Sequence, residues 1–400
     1  MMIFSKLARR FSVAALTLSA LSANALPFVP ASDATPLERL PSKPGQVGTA
    51  DRSSRSMNAA LKLDPKNADL AARIAQVYVS RSRTESDPRY LGQAQSALAF
   101  WWTQASPPIP ILLLRATIRQ STHDFNNARR DLDQAVTREP GNAQAWLTMA
   151  TVLQVTGDLK GALESCREVV PLTPPLIGAT CIAGIDGAEG RAVQAYEALN
   201  AAMLASDAGG RDSVGVRTWA ITLQAEIAER LNRMADAERL YKASLALDAT
   251  DAYAIAAYAD FLLDAGRPSE VLTLIPANTR AEVLLLRRAI AAKLALSPDA
   301  AAVAKDLGER FAASKARGDR VHLREEARYA LAIKYEPKEA LALARENWQV
   351  QKEPLDARIA LESAIAARQP KAVADVLSWI ETTKLQGEKL SQLVAQVKAQ

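Results

Sequence analysis

Side chains that could do acid–base chemistry or bind a metal are few in this 400-residue sequence and lie far apart. It contains two histidines, His123 and His322, and two cysteines, and no spacing among them matches a zinc site. Glu325 and Glu326 are adjacent, as catalytic carboxylates can be, but arginines flank them, which favours a solvated helix face. We therefore predict no catalytic residue, no metal site, no cofactor and no enzyme activity.

The two cysteines, Cys166 and Cys181, lie on segments that we predict to be neighbouring antiparallel helices. In an oxidising compartment they could form a disulfide, which would close a loop of about 15 residues. Cys166 also occupies a position that normally takes a buried apolar side chain, where a free thiol packs well. Both interpretations stay open at this stage, and we treat the bridge as possible.

The first 25 residues have the composition of a secretory signal peptide. Lys6, Arg9 and Arg10 precede an apolar run of about 13 residues, shorter than the roughly 20 that span a bilayer, and Ala23-Asn24-Ala25 fits a cleavage site. Removal of this segment would lower the formal net charge from +5 to +2, a near balance that argues against nucleic-acid binding. We expect an exported, periplasmic protein without stable membrane insertion; a retained anchor is the alternative.

The elements that follow are a lead-in and a long repetitive region. Residues 26–56 are rich in proline and have no period, so we predict a flexible segment. Beyond it, Ala94, Ala128 and Ala162 are 34 residues apart, and each is followed four residues later by an apolar residue. A period of 34 is that of a helix–turn–helix unit that buries its apolar face only by stacking on its neighbours.

This region resembles the tetratricopeptide (TPR) repeat family. The best copy starts at Ala143 and contains Trp146, Ala150 and Leu153 in its first helix, with Ala162 and Cys166 in the second and Pro174 at its close. The resemblance implies an all-α, right-handed superhelical solenoid of stacked antiparallel helix pairs behind a disordered leader. We place repeats over 57–208 and 211–400, with a break at the glycines 209 and 210.

In this family the first helices of successive pairs line a concave groove, and the resemblance implies the same here. Carried onto this sequence, the groove residues are Trp219, Thr222, Glu226, Glu229, Tyr253, Asp260, Asp264, Leu147, Thr151 and Gln154. Trp219 and Tyr253 would offer apolar anchors beside four carboxylates, which suits a peptide with apolar and basic residues. The alternative is that the two aromatic residues only pack between repeats.

These observations favour a non-catalytic, exported scaffold or adaptor that binds a protein or peptide partner in its groove. One alternative is an accessory subunit of an envelope transport or assembly complex. Another is a cell-wall or polysaccharide-processing enzyme whose site the motifs do not reveal. The identity of the partner and the oligomeric state do not follow from the sequence.

Overall fold

The fold is taken from a computed structural model of the full chain. It describes residues 49–85, 87–209 and 212–400, with side chains from Ser54 onward. The predicted signal segment, 1–25, and most of the predicted lead-in lie outside these residues. The described part of the lead-in, from Thr49, belongs to the first helix, which begins eight residues before the predicted boundary at Met57.

The described residues form helices joined by short turns and contain no β-strand. The α-helices are α1 (Thr49–Leu63), α2 (Ala68–Glu85), α3 (Arg89–Ala97), α4 (Ala99–Trp102), α5 (Ile109–Ser121), α6 (Phe125–Arg138), α7 (Ala143–Thr156), α8 (Leu159–Val169), α9 (Pro175–Ala188), α10 (Ala192–Gly209), α11 (Val214–Arg230), α12 (Met234–Leu247), α13 (Ala252–Asp264), α14 (Pro268–Leu274), α15 (Glu282–Leu294), α16 (Ala300–Ala316), α17 (Leu323–Tyr329), α18 (Pro337–Trp348), α19 (Pro354–Ala367), α20 (Ala374–Thr383) and α21 (Glu388–Ala399). A π-helical turn, Ala330–Lys334, extends α17, and short 3₁₀ segments occur at Val170–Leu172 and Pro370–Val373.

Successive helices pack as pairs, and the first helix of each pair also packs on the first helix of the next. The described residues form eight such pairs, numbered here in chain order: α2/α3, α5/α6, α7/α8, α9/α10, α11/α12, α13/α14, α15/α16 and α17/α18. The C-terminal unit, α19–α21, completes the array. This arrangement confirms the predicted fold class, a tetratricopeptide-like solenoid of stacked helix pairs. The core is continuous across the predicted break at residues 209 and 210, because Leu199 of α10 and Ile227 of α11 belong to one buried cluster.

The 34-residue spacing marks positions of complete burial. Ala94, Ala128 and Ala162 are all 0% exposed, and so are the apolar residues four positions after each of them. A small side chain at these positions lets the two helices of a pair approach closely, while the larger neighbour fills the space between helices. Side-chain caps fix several helix starts; Asp158, for example, accepts a hydrogen bond from the backbone N–H of Gly161.

The turn within a pair has a recurrent backbone conformation. The first or second residue after the first helix adopts a positive φ, and the next backbone N–H donates to a carbonyl five residues back, as Asp158 does to Leu153 (2.8 Å). In α17/α18 the acceptor is six residues back, Glu336 to Ala330 (2.9 Å), because the π-helical turn adds one residue. The positive-φ residues are His123, Gly157, Gly190, Asn232, Gly266, Leu296, Tyr335 and Arg368.

A buried ion pair ties the second pair to the residues before it. Arg115 of α5 bonds both carboxylate oxygens of Asp131 on α6, at 2.8 and 2.5 Å. Its remaining nitrogen donates to three carbonyls at the end of α4, those of Trp101, Trp102 and Gln104. Both side chains are almost fully buried, so the guanidinium has lost its hydration. The hydrogen bonds to Asp131 and to the carbonyls replace that lost hydration and make the buried charge tolerable.

Candidate functional site

The solenoid winds far enough for its C-terminal unit to contact the third and fourth pairs. The backbone N–H of Lys352, before α19, donates to the carbonyl of Val155 in α7 (2.8 Å). The backbone N–H of Ala192, in α10, donates to the side-chain oxygen of Gln386 (3.2 Å). This return path places α19 across from α13, where Arg358 bonds Asp264, and the space between them is the predicted groove.

Tyr253 and Glu226 form one contact in this space. The phenol O–H of Tyr253, at the start of α13, donates to a carboxylate oxygen of Glu226 on α11 (2.7 Å). The negative charge of Glu226 raises the pKa of Tyr253, so the phenol keeps its proton. Burial raises the pKa of Glu226 itself, and the nearby charge of Arg230 opposes that effect. Tyr253 as a whole residue is 64% exposed, so its side chain is accessible from the groove.

Glu229 lies one helical turn further along α11. It accepts a hydrogen bond from the buried phenol of Tyr241 on α12 (3.0 Å). Burial raises the pKa of Glu229 to about 7; the Tyr241 hydrogen bond opposes the shift, and the charges of Asp264 and Glu226 add to it. Among the described residues neither Glu226 nor Glu229 has a lysine or arginine within ion-pair distance.

The two aspartates of the predicted groove already have partners within the chain. Asp260 of α13 bonds Arg287 of α15 (2.6 Å) and Arg328 of α17 (2.7 Å). Burial would raise the pKa of Asp260, but the two guanidinium charges lower it to about 2. Asp264 bonds both terminal nitrogens of Arg358 on α19, at 2.5 and 2.6 Å. Of the four predicted carboxylates, the two glutamates are the ones that form no ion pair with a described lysine or arginine.

The remaining predicted residues divide between the groove and the helix interfaces. Trp219 is 36% exposed and lies two turns before Glu226 on α11. Thr222 is 2% exposed and hydrogen-bonds Ser244 of α12 (2.7 Å), so it packs inside its helix pair rather than facing the groove. The residues predicted on α7 (Leu147, Thr151 and Gln154) are half-buried, and the Thr151 hydroxyl donates to the Leu147 carbonyl (3.0 Å).

Each of the two histidines has a partner within the chain. Burial lowers the pKa of His123, which stacks on Phe125 with ring centroids 5.4 Å apart. His322 lies 3.3 Å from a carboxylate oxygen of Glu282. In the described part of the chain, no three histidine, cysteine or acidic side chains come together in a way that could hold a metal ion.

Cys166 and Cys181 form a disulfide, and their Cα atoms are 5.5 Å apart. The bond joins α8 to α9, the neighbouring helices on which the sequence places the two cysteines. Both side chains belong to the buried cluster of the third and fourth pairs. The disulfide therefore fixes the segment against which the C-terminal unit packs.

The arginines that fill the groove were missed by sequence reasoning. Arg287, Arg328 and Arg358 lie on first helices of their pairs, the helices to which the groove was assigned. If the residues of those helices are also assigned to the groove, the three arginines lie on the same surface as the predicted carboxylates. That arrangement indicates ion pairs within the chain. The sequence prediction of the groove ends at Asp264 and does not extend to α15, α17 and α19, where these arginines lie.

Among known proteins, the chain is similar to solved structures built from helical repeats. No family model matches the sequence, and no curated protein matches it. A tetratricopeptide repeat protein from Parabacteroides merdae is 11% identical over 72% of this chain and 98% of its own, with a TM-score of 0.36. Yeast Tom70 is 12% identical over 87% of this chain and 85% of its own, with a TM-score of 0.39.

A third solved structure, a human IFIT1 dimer with m7Gppp-AAAA, is 12% identical over 87% of this chain and 85% of its own, with a TM-score of 0.43. At these values the comparisons give no guidance on ligands. A search of the described residues for helices able to cross a membrane returned none.

Proposed function

We propose that this protein is a non-catalytic scaffold that binds a peptide segment of a protein partner in the groove lined by α11 and α13. The observation that carries the proposal is the pair Glu226 and Glu229, two carboxylates that accept hydrogen bonds from tyrosines and, among the described residues, have no lysine or arginine within ion-pair distance. The exposed ring of Tyr253 lies next to them. A segment with a lysine or arginine beside an apolar residue complements this combination of charge and aromatic surface.

The raised pKa of Glu229 gives the proposal a measurable signature. Because that pKa is about 7 in the free protein, a bound cation would favour the ionised carboxylate and lower it. Binding of a basic peptide should therefore release protons near neutral pH, and affinity should rise from acidic to neutral pH.

The test is selection of a random dodecapeptide library, displayed on phage, against the full chain. The groove variant is Glu226→Gln with Glu229→Gln. The matched control is Glu164→Gln with Glu168→Gln, which removes the same charge from two exposed positions on α8. Enriched peptides should carry basic and apolar residues, bind the groove variant at least about tenfold more weakly, and bind the control as they bind the wild type. Equal binding to all three proteins would reject the groove as the site.

Export to an oxidising compartment, the periplasm of a bacterium, is part of the same proposal. It is supported by the signal-like composition of residues 1–25 and by the Cys166–Cys181 disulfide, since such bonds persist mainly outside the cytosol. Mass spectrometry of the protein from the envelope fraction, without reduction, should give an N-terminus at Leu26 and no free thiol. Alkylated cysteines would contradict export to an oxidising compartment, and a retained leader would favour the membrane-anchored alternative.

A further inference from the structure

The contact between the C-terminal unit and the third and fourth pairs, here termed the closure interface, is built from few residues. On one side are Val155, Gly157, Gly190 and Ala192; on the other are Val350, Lys352, Trp379, Lys384 and Gln386. In a solenoid each repeat contacts only its neighbours. The closure interface is an exception, because it joins segments about 190 residues apart in sequence.

Two turns of the array are shaped for this contact. A Cβ atom added at Gly190 would lie 2.8 Å from the Cβ atom of Lys384 and 2.9 Å from its carbonyl oxygen. One added at Gly157 would lie 2.9 Å from the side chain of Lys352. Gly266 occupies the equivalent turn of the sixth pair with a similar positive φ, yet an added Cβ there would meet nothing within 4 Å.

The closure interface also contains a polar group that has no partner. The indole Nε1 of Trp379, near Gly157, is buried and has no hydrogen-bond acceptor among the described residues. A buried donor left unpaired weakens the contact that buries it. The interface is therefore less stable than its close fit implies, and opening it would hydrate the indole.

Closing the array also delivers a cation into the groove. Arg358 of α19 reaches across to Asp264 of α13 and bonds both of its oxygens. These residues are 94 positions apart, and the ion pair exists only while α19 lies across from α13. Asp264 in turn contributes to the electrostatic environment of Glu229, so the guanidinium of Arg358 sits at the edge of the proposed peptide site.

We propose that the C-terminal unit is a gate that inhibits binding. In the closed array Arg358 pairs with Asp264, and when the closure interface opens, a basic side chain of the partner takes the place of Arg358. Opening requires no single hinge, because small rotations between successive pairs add up along a solenoid. The identity of the competing ligand rests on the proposed function. The opening of the closure interface does not depend on the proposed function.

The test compares Gly190→Ala with Gly266→Ala in the full chain. Both variants place an alanine at a positive-φ turn, so the local backbone penalty is the same. Only Gly190→Ala introduces a methyl group into the closure interface. Hydrogen exchange followed by mass spectrometry reports the amides of Lys352 and Ala192, which are the two closure donors.

In Gly190→Ala these two amides should exchange at least about tenfold faster than in the wild type. The helices α13 and α15 should be unchanged, and Gly266→Ala should leave both closure amides protected. Unchanged exchange at Lys352 and Ala192 in Gly190→Ala would overturn the gate. A rise spread evenly over all helices would overturn it as well, because it would mean global loss of stability.

The competing role of Arg358 is tested with the peptides enriched by phage selection. Both Gly190→Ala and Arg358→Gln should bind them about tenfold more tightly than the wild type, while Arg239→Gln, at an exposed position on α12, should not. Faster exchange with unchanged peptide affinity would overturn inhibition by the gate. Selection of no peptide by any variant, with faster exchange at the closure amides, would reject the groove-binding function and support an opening gate.

Discussion

Removing the charge of Glu229 should stabilise this protein at neutral pH, although Glu229 accepts a hydrogen bond. The carboxylate receives the phenol proton of Tyr241 (3.0 Å) and is surrounded by Asp264, Glu226 and Arg358, with burial as the main reason that its pKa is about 7. In Glu229→Gln the amide oxygen can accept the same hydrogen bond, while the cost of burying a negative charge disappears.

The size of the effect follows from the two pKa values. Glutamate ordinarily has a pKa of 4.5, and the folded protein raises that of Glu229 to about 7; the difference corresponds to about 3 kcal/mol. Because the folded state holds the proton more tightly, the stabilisation from protonated Glu229 is complete below pH 4.5. It is lost progressively as the pH rises through about 7. Glu229→Gln should therefore match the wild type at pH about 4 and exceed it by up to about 3 kcal/mol at pH about 8.

Urea denaturation followed by circular dichroism measures this difference across the pH range. Glu164→Gln is the control, because Glu164 is exposed on α8, and its difference from the wild type should not depend on pH. If the advantage of Glu229→Gln were the same at acidic and neutral pH, Glu229 would titrate as an ordinary surface carboxylate. The account of a charge buried in the groove would then be refuted.

Three further changes test the packing of the array by urea denaturation. Asp131→Ala leaves a buried guanidinium without its anion and should lower the free energy of unfolding by about 3–5 kcal/mol; a loss near zero would contradict the buried pair. Reduction of the Cys166–Cys181 bond, which closes a 15-residue separation, should cost about 3 kcal/mol, and identical midpoints with and without reductant would count against it. Leu132→Ala, at a side chain that is 0% exposed, should cost about 2–5 kcal/mol. Leu63→Ala, at a side chain that is 90% exposed, should cost far less, and equal losses would refute the assigned core.

The sequence was sufficient for the repeat architecture because the repeat has a local cause. The requirement for a small residue where two helices cross recurs every 34 residues, and it is visible at Ala94, Ala128 and Ala162 without any alignment. Gly184 and Gly187 lie within α9, and only Gly190 is in the turn, because tertiary packing carries the helix through residues of poor helix propensity.

The groove was harder to predict because its chemistry depends on the path of the superhelix. Asp260 and Asp264 look like free carboxylates in the sequence, and nothing local shows that Arg328 and Arg358 will reach them. Thr222 was misplaced for a related reason. A position on a helix wheel can face either the groove or the second helix of the pair, and the contact with Ser244 decides between them.

The positive-φ turns show how local sequence and global shape combine. The turn conformation alone does not demand glycine, because His123, Asn232, Leu296, Tyr335 and Arg368 adopt it too. Glycine is required only where a second segment approaches the turn, and the close approaches occur at the third and fourth pairs. The returning C-terminal unit thus accounts for two glycines that a repeat pattern would treat as interchangeable with asparagine. Gly157 and Gly190 look like ordinary turn formers, but they leave the space that the returning C-terminal unit needs. The same closure brings Arg358 to Asp264.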